Sequence, residues 1–316
     1  MKPFAAAALL SAVLQPVYSG TAPSTDVGLE DVELGQSLDI TPFIDVLTVR
    51  GTHTPGMSFN ELTRGEMDFT TLNTYAILGV IGGGDSSLTW VPMLNYTYSS
   101  LDVSPLTPVP GFDESLHEIT LPNFLLYNAK GSKWFHGFYN NFGLRSDLGN
   151  IDSRDFFLAA AVGSGYQFND KFALGFGVYA SDITNNDPFI VAGPVFVWMP
   201  TEEWLISYYG PKFIARKQFG PNIRFGFEAG WNGGSWNVDS PVATQDSLRV
   251  DLTSYRYGFF YKQRIYKELW GEIGVGYTIG NKLKVNSAGG RDLFPFAYGE
   301  ADGAPYFSLG LTVNRW

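Results

Sequence analysis

The sequence predicts an all-β fold: an antiparallel up-and-down transmembrane β-barrel. Three observations carry this. Apolar side chains alternate with small or polar ones over stretches of about ten residues, the length that crosses a bilayer at a barrel's tilt. Short and long connections alternate along the chain. Only 16% of the 316 residues are charged, against 16% aromatic and 36 glycines, where an ordinary soluble domain carries about 25% charged residues. A barrel with one face in lipid and the other wet accommodates that composition.

The chain opens like an export precursor. Lys2 supplies a positive n-region, residues 4–14 an apolar h-region, and Val17 and Ser19 the small-residue positions of a cleavage site. Residues 1–19 are therefore expected to be a signal peptide. Residues 20–42 follow with Asp26, Glu30, Asp31, Glu33 and Asp39 and no basic residue. They read as an acidic periplasmic arm, with a plug folded into the lumen as the alternative. No later stretch offers eighteen uncharged apolar residues, so no transmembrane helix is expected.

The barrel is expected over residues 43–316. Side chains on a strand point alternately to opposite faces. In 269–280, Leu269, Ile273, Val275, Tyr277 and Ile279 share one face, and Trp270, Glu272, Gly274, Gly276 and Thr278 the other. Phe172, Leu174, Phe176 and Val178 oppose Ala173, Gly175, Gly177 and Tyr179; Ile223, Phe225 and Phe227 oppose Arg224, Gly226 and Glu228. A soluble sandwich would charge its outer face heavily; here that face is mostly Gly, Ser, Thr and Asn.

In order, strands are expected at 43–50, 66–82, 86–101, 113–128, 132–145, 154–168, 171–182, 188–199, 203–209, 212–217, 221–235, 248–263, 266–281 and 304–316. Tight links such as Gly83-Gly84-Asp85, Lys130-Gly131 and Asn169-Asp170 alternate with mostly longer ones at 51–65, 102–112, 146–153, 183–187, 236–247 and 282–303. Long links outside and short turns in the periplasm place both ends of the barrel in the periplasm. Fourteen strands require Tyr209-Gly210-Pro211 to be a tight turn between two short strands. Twelve is the alternative count.

Charges in the alternating pattern are expected on the lumen face, because one facing lipid at mid-depth costs about 2–4 kcal/mol. These lumen candidates are Arg224, Glu228, Arg249, Asp251 and Glu272. They either pair and brace the wall or line a path. The pattern of 248–263 shifts phase near Ser254, which suggests a bulge. Trp90, Trp198, Trp204 and Trp270 lie near strand ends and are expected in the interfacial belts.

Little else points to chemistry, and no enzyme activity is expected. Cys is absent and His53, His117 and His136 are the only histidines. His136 lies in a Trp-Phe-His-Gly-Phe-Tyr-Asn-Asn run that lacks the spacing of barrel phospholipases. Asp147, Asp152 and Asp155 cluster near one external loop. Asp182, Asn185, Asn186 and Asp187 offer oxygen ligands at no recognised calcium spacing. No metal or cofactor is expected, and the net charge of −10 disfavours nucleic acid as a partner.

The last strand, Pro305-Tyr-Phe-Ser-Leu-Gly-Leu-Thr-Val-Asn-Arg-Trp316, resembles the C-terminal assembly signal of bacterial outer-membrane barrels. That resemblance implies the barrel-assembly machinery and outer-membrane lipids as partners. Trp316 is out of phase with Phe307, Leu309, Leu311 and Val313, and a bulge would restore it. Residues 154–235 resemble porin- or transporter-like barrel domains of unknown function from Gram-negative-type bacteria. The strand count is similar to that of the long-chain fatty-acid transporter superfamily. The function expected is passage of small solutes or apolar molecules. The alternatives are a structural or adhesive barrel with a filled lumen, and an outer-membrane hydrolase.

Overall fold

A computed structural model describes residues 45–314, apart from 60–64, 83–86, 105–111, 130, 182–188, 210–211, 240–246 and 288–298. The expected signal peptide, the arm at 20–42, Trp316 and the oxygen cluster at 182–187 lie outside the described residues.

The strands are β1 (Leu47–Ser58), β2 (Glu66–Ile77), β3 (Ile81–Gly82), β4 (Leu88–Val103), β5 (Phe112–Tyr127) and β6 (Trp134–Ser146). There follow β7 (Phe156–Gln167), β8 (Phe172–Ser181), β9 (Phe189–Trp198), β10 (Trp204–Tyr209), β11 (Lys212–Phe219) and β12 (Ile223–Trp231). The last are β13 (Gly234–Val238), β14 (Leu248–Tyr266), β15 (Leu269–Ser287), β16 (Gly299–Ala301) and β17 (Pro305–Val313). Three are continuations: β3 extends β2 against β4, β13 extends β12 against β14, and β16 joins β17 against β15. The seventeen segments therefore form fourteen staves. Sequential neighbours pair antiparallel, and β1 closes on β17 from Leu47↔Val313 to His53↔Phe307. Tyr209↔Lys212 pairing makes β10 and β11 separate staves, which settles the count at fourteen.

The register offsets accumulate to about 16 residues per circuit, which tilts the strands by about 40°. A barrel of eight strands is filled by its own side chains; fourteen enclose a much wider lumen.

Two strand ends differ from the sequence expectation. The first strand was placed at 43–50, but β1 continues to Ser58. Gly56, at φ 63°, forms a bulge that lets Met57↔Met67 resume the ladder. The link expected at 282–303 is shortened by β15 reaching Ser287 and by β16.

The two faces exchange chemistry along the tall strands. On the lower part of β14, Tyr255, Tyr257 and Phe259 point outward and are exposed, while Lys262, Phe260 and Gly258 point inward. Toward the long-loop end the same backbone phase places Leu248, Val250 and Leu252 inward and Arg249, Asp251 and Thr253 outward. The outer face thus changes from aromatic to polar at Thr253, at Thr70 on β2 (Asp68 beyond it) and at Ser100 on β4 (Asp102 beyond it). Below that line lies an apolar band about 25 Å high, the membrane-spanning zone. Above it the strands stand clear of lipid and close over an apolar core that includes Met67, Phe69, Leu101, Trp236, Leu252 and Leu283.

Only the tall staves share this upper storey. There β13 crosses to β6, with Asn237↔Ser146 in parallel register. Asp239 N donates to Asp147 Oδ2 at 2.7 Å, and Asn237 Nδ2 to Arg154 O. Staves β7 to β11 end beneath this clasp.

Candidate functional site in the barrel lumen

The lumen has two unlike halves, with an inward Glu118–Arg145 ion pair (2.8 Å) on β5 and β6 between them. The charged half is built by β1, β11, β12, β14 and β15. Arg50 binds Glu228 (Nη1–Oε1 3.1 Å) and Glu272 (Nη2–Oε1 2.5 Å). Lys262 Nζ reaches Glu272 Oε2 at 2.8 Å and Asp45 Oδ2 at 2.6 Å. Arg224 lies 4.0 Å from Asp45, and Arg256 3.7 Å from Glu228. Lys262 and Glu272 are only 2% and 3% exposed. These groups sit near the short-turn end, where neighbouring staves place them at similar depth: Lys262↔Glu272, Arg224↔Lys262 and Glu272↔Gly310↔Arg50. Each charge is removed from water and compensated by its neighbours, as burial requires.

The second half is smooth. The inward residues of β7, β8 and β9 include Ala159, Ala161, Gly163, Gly165, Ala173, Gly175, Gly177, Val191, Gly193, Val195 and Val197. No charge lies among the described inward residues of these three staves. Several glycines are tightly placed: a Cβ on Gly165 would lie 2.2 Å from the Phe135 ring, and one on Gly175 2.7 Å from Ser164 O. Gly193 is different, because a Cβ there would meet nothing within 4 Å and project into open lumen.

The sequence candidates divide accordingly. Arg224, Glu228 and Glu272 face the lumen and meet in one network. Arg249 and Asp251 do not: they point outward in the upper storey, where Arg249 Nε donates to Asp251 Oδ1 at 2.9 Å and to Ser235 Oγ at 2.8 Å. The expectation assumed lipid outside throughout, whereas β14 outruns the bilayer and a charged outer face there meets water. The bulge expected near Ser254 lies in β15 instead, at Gly280 (φ 62°), where β14 advances two residues and β15 three. The hydropathy of β14 changes phase while its backbone does not.

Trp90 (38% exposed) and Trp198 (45%) lie on the outer face near the short-turn end, and Trp204 is half-buried there. Trp270 is a correction to the belt. It points inward at 2% exposure, with the Arg224 guanidinium 4.0 Å from its ring centroid. Its phase with Glu272 already carried that information. Arg50, Lys262 and Asp45 complete the network and were not among the site candidates. Arg50 was legible from the polar alternation Thr48, Arg50, Thr52, Thr54, and Lys262 from its phase with Arg256. Asp45 precedes the first ladder pair and carries no local signal.

The histidines face outward. His136 Nδ1 lies 2.8 Å from Ser164 Oγ, His53 Nδ1 2.8 Å from Thr70 Oγ1, and His117 Nδ1 3.0 Å from Tyr96 OH. Among the described residues no acid or amide orients the His136 ring, so the serine–histidine contact lacks the third member of a hydrolase triad. In the β6–β7 loop, burial raises the Asp155 carboxyl above its ordinary pKa, although Asp152 N donates to it. Asp152 itself is lowered by its hydrogen bonds from Arg154. These acids fasten the loop. Among the described residues no group of three His, Asp or Glu is arranged to hold a metal.

The chain is similar in structure to the COG4313 outer membrane channel of Pseudomonas putida F1, at 12% identity and a TM-score of 0.47, covering 92% of this chain and 99% of that one. It is also similar to the Pseudomonas putida toluene transporter TodX (8% identity, TM-score 0.38, 89% and 92% covered). A Pseudomonas aeruginosa FadL homologue matches at 11% identity and a TM-score of 0.32, covering 89% and 93%. No curated protein matches the sequence. Residues 85–314 match the family model described as a domain of unknown function, DUF6268, and the chain, a fourteen-stranded transmembrane barrel with a half-charged, half-smooth lumen, belongs to that family.

Proposed function

We propose that this barrel is a transporter-like protein of the bacterial outer membrane that passes small, weakly polar or apolar molecules along the smooth half of its lumen. The observation that carries the reading is the pairing of two facts. Most lumen charges are gathered into a network on one side, the Glu118–Arg145 pair stands apart on β5 and β6, and the wall of β7 to β9 is uncharged, largely small and open at Gly193. A fourteen-stranded wall leaves room between them. The apolar core of the upper storey closes the lumen above the charged half, so the free route runs beside β7 to β9.

Planar-bilayer recordings in concentrated KCl test this. Wild-type protein is expected to give resolvable conductance steps. Gly193→Trp, which puts an indole into the open space, is expected to lower the conductance by about fivefold or more while the barrel stays heat-modifiable on gels. Silent wild-type protein would remove the passage reading. It would favour a filled structural barrel acting through its loops, the reading for which the packed upper storey is the specific observation.

A further inference from the structure

The chain carries a net charge of −10, yet the charged wall of its lumen has the opposite sign. Arg50, Lys212, Arg216, Arg224, Arg256 and Lys262 face inward on that wall. Lys212 and Arg216 join it by register: they pair with Gly230 and Gly226, which stand in phase with the inward Arg224 and Glu228. Arg256 and Lys262 pair with Gly230 and Arg224. Arg264 follows at the short-turn rim, its guanidinium carbon 5.9 Å from the Trp270 ring centroid. Among the described residues of the wall the carboxylates are Asp45, Glu228 and Glu272. Six cations within the wall thus face three anions, an excess of three positive charges before Arg264 is added. Glu118 and Arg145, on β5 and β6, cancel one another.

Aromatic rings help to hold these cations in place. The Arg224 guanidinium lies 4.0 Å from the Trp270 centroid, Arg216 5.5 Å from that of Phe260 and Arg256 5.9 Å from that of Tyr306. All three rings point inward and are buried. A ring face attracts a cation through its quadrupole and adds no formal negative charge, so the wall is ordered and stays positive. Lys212 and Arg256 stand on either side of Gly230, at the upper edge of the network and on the side of the long loops. The low-dielectric surround of a lipid-embedded barrel focuses the field of such an excess into the lumen.

We infer that the charged half of the lumen is an anion-attracting wall, and that among ions of similar size the barrel passes small monovalent anions, inorganic or organic, in preference to cations. Arg and Lys side chains gathered at one level of a pore select in this sense. This rests on the passage reading above and adds the sign of charge that the lumen admits.

The reversal potential of the purified full-length protein in planar bilayers tests this. Under a shallow KCl gradient centred on about 0.1 M, where the Debye length is about 10 Å, a chloride-to-potassium permeability ratio of about three or more is expected. Around 1 M, where that length is about 3 Å, the ratio is expected to approach one. Lys212→Glu combined with Arg256→Gln removes the excess and is expected to bring the low-salt ratio to about one or below. Gly193→Glu sets a carboxylate in the open lumen on the opposite wall, where a Cβ meets nothing within 4 Å. It is expected to lower the ratio about twofold without touching the network, which keeps the test decisive should the double variant fail to fold. Lys284→Glu makes a like change on the outer face of the upper storey, beside Asp251, and is expected to leave the ratio as it was. An equal shift there would assign the preference to the protein's surface and overturn the inference. Open channels with a wild-type ratio of one or less overturn it too and leave the passage reading intact. Silent bilayers remove the passage reading and this one with it.

Discussion

Glu272 stands between Arg50 and Lys262 with its carboxylate almost wholly out of water. Removing one member of such a group strands the others' charge, at a cost of about 3–5 kcal/mol. Glu272→Ala is therefore expected to lower stability by that amount in urea unfolding from lipid vesicles. Glu272→Met combined with Lys262→Met is expected to recover much of it, since both ions then leave together. The same residues show how far sequence carries the site. Period-2 alternation placed Arg224, Glu228 and Glu272 on one face, and their strands meet as expected. The pairing with Arg50 and Asp45 depends on barrel closure, because β1 reaches β15 only across β17, at the other end of the chain.

At the scale of single strands, the alternation fixed fourteen elements in their right order and most of their ends within a few residues. What it missed has one physical cause. A strand's pattern reports which side is dry, and the dry side changes from outside to inside where the strand leaves the bilayer. Arg249 and Asp251 were misassigned for that reason. Two substitutions on β14 expose the boundary: Phe259→Arg, within the band, is expected to cost about 2–4 kcal/mol, while Arg249→Leu, above it, should cost little. Both are read from urea midpoints in vesicles. On β15, Gly280 holds φ at 62° so that Asn281 turns inward, where its Oδ1 accepts from Ser254 Oγ at 2.6 Å and its Nδ2 donates to Asp302 O at 2.8 Å. Gly280→Val forces a branched side chain into that conformation beside the Tyr255 ring, 3.3 Å from the built Cβ. A loss of about 1–3 kcal/mol is expected in the same assay.

Over the whole molecule, two storeys share one set of strands. The lower is a membrane barrel with its wet side inward. The upper is built like a water-soluble barrel, apolar within, and is held shut by the β6–β13 clasp through Asp147 and Asp239. Asp147 Oδ1 also accepts from Gly149 N at 3.0 Å. Asp147→Ala withdraws both acceptors at once. Protease added to the long-loop side of intact vesicles is expected to cut the β6–β7 and β13–β14 loops several-fold faster in this variant, with the membrane-embedded fragment still heat-modifiable on gels. Equal cutting rates would mean that the storey is held by its apolar core alone.

The unequal heights of the staves also sort what can touch the protein from outside. β14 and β15, nineteen residues each, rise well above the headgroups at their long-loop ends, Leu248 and Ser287, whereas β10 ends at Tyr209 and β11 begins at Lys212 at the depth of the lipid tails. A bulky reagent such as an antibody would meet the first and never the second. The silhouette is a high-backed chair, and its low front edge is visible only to molecules that dissolve in fat.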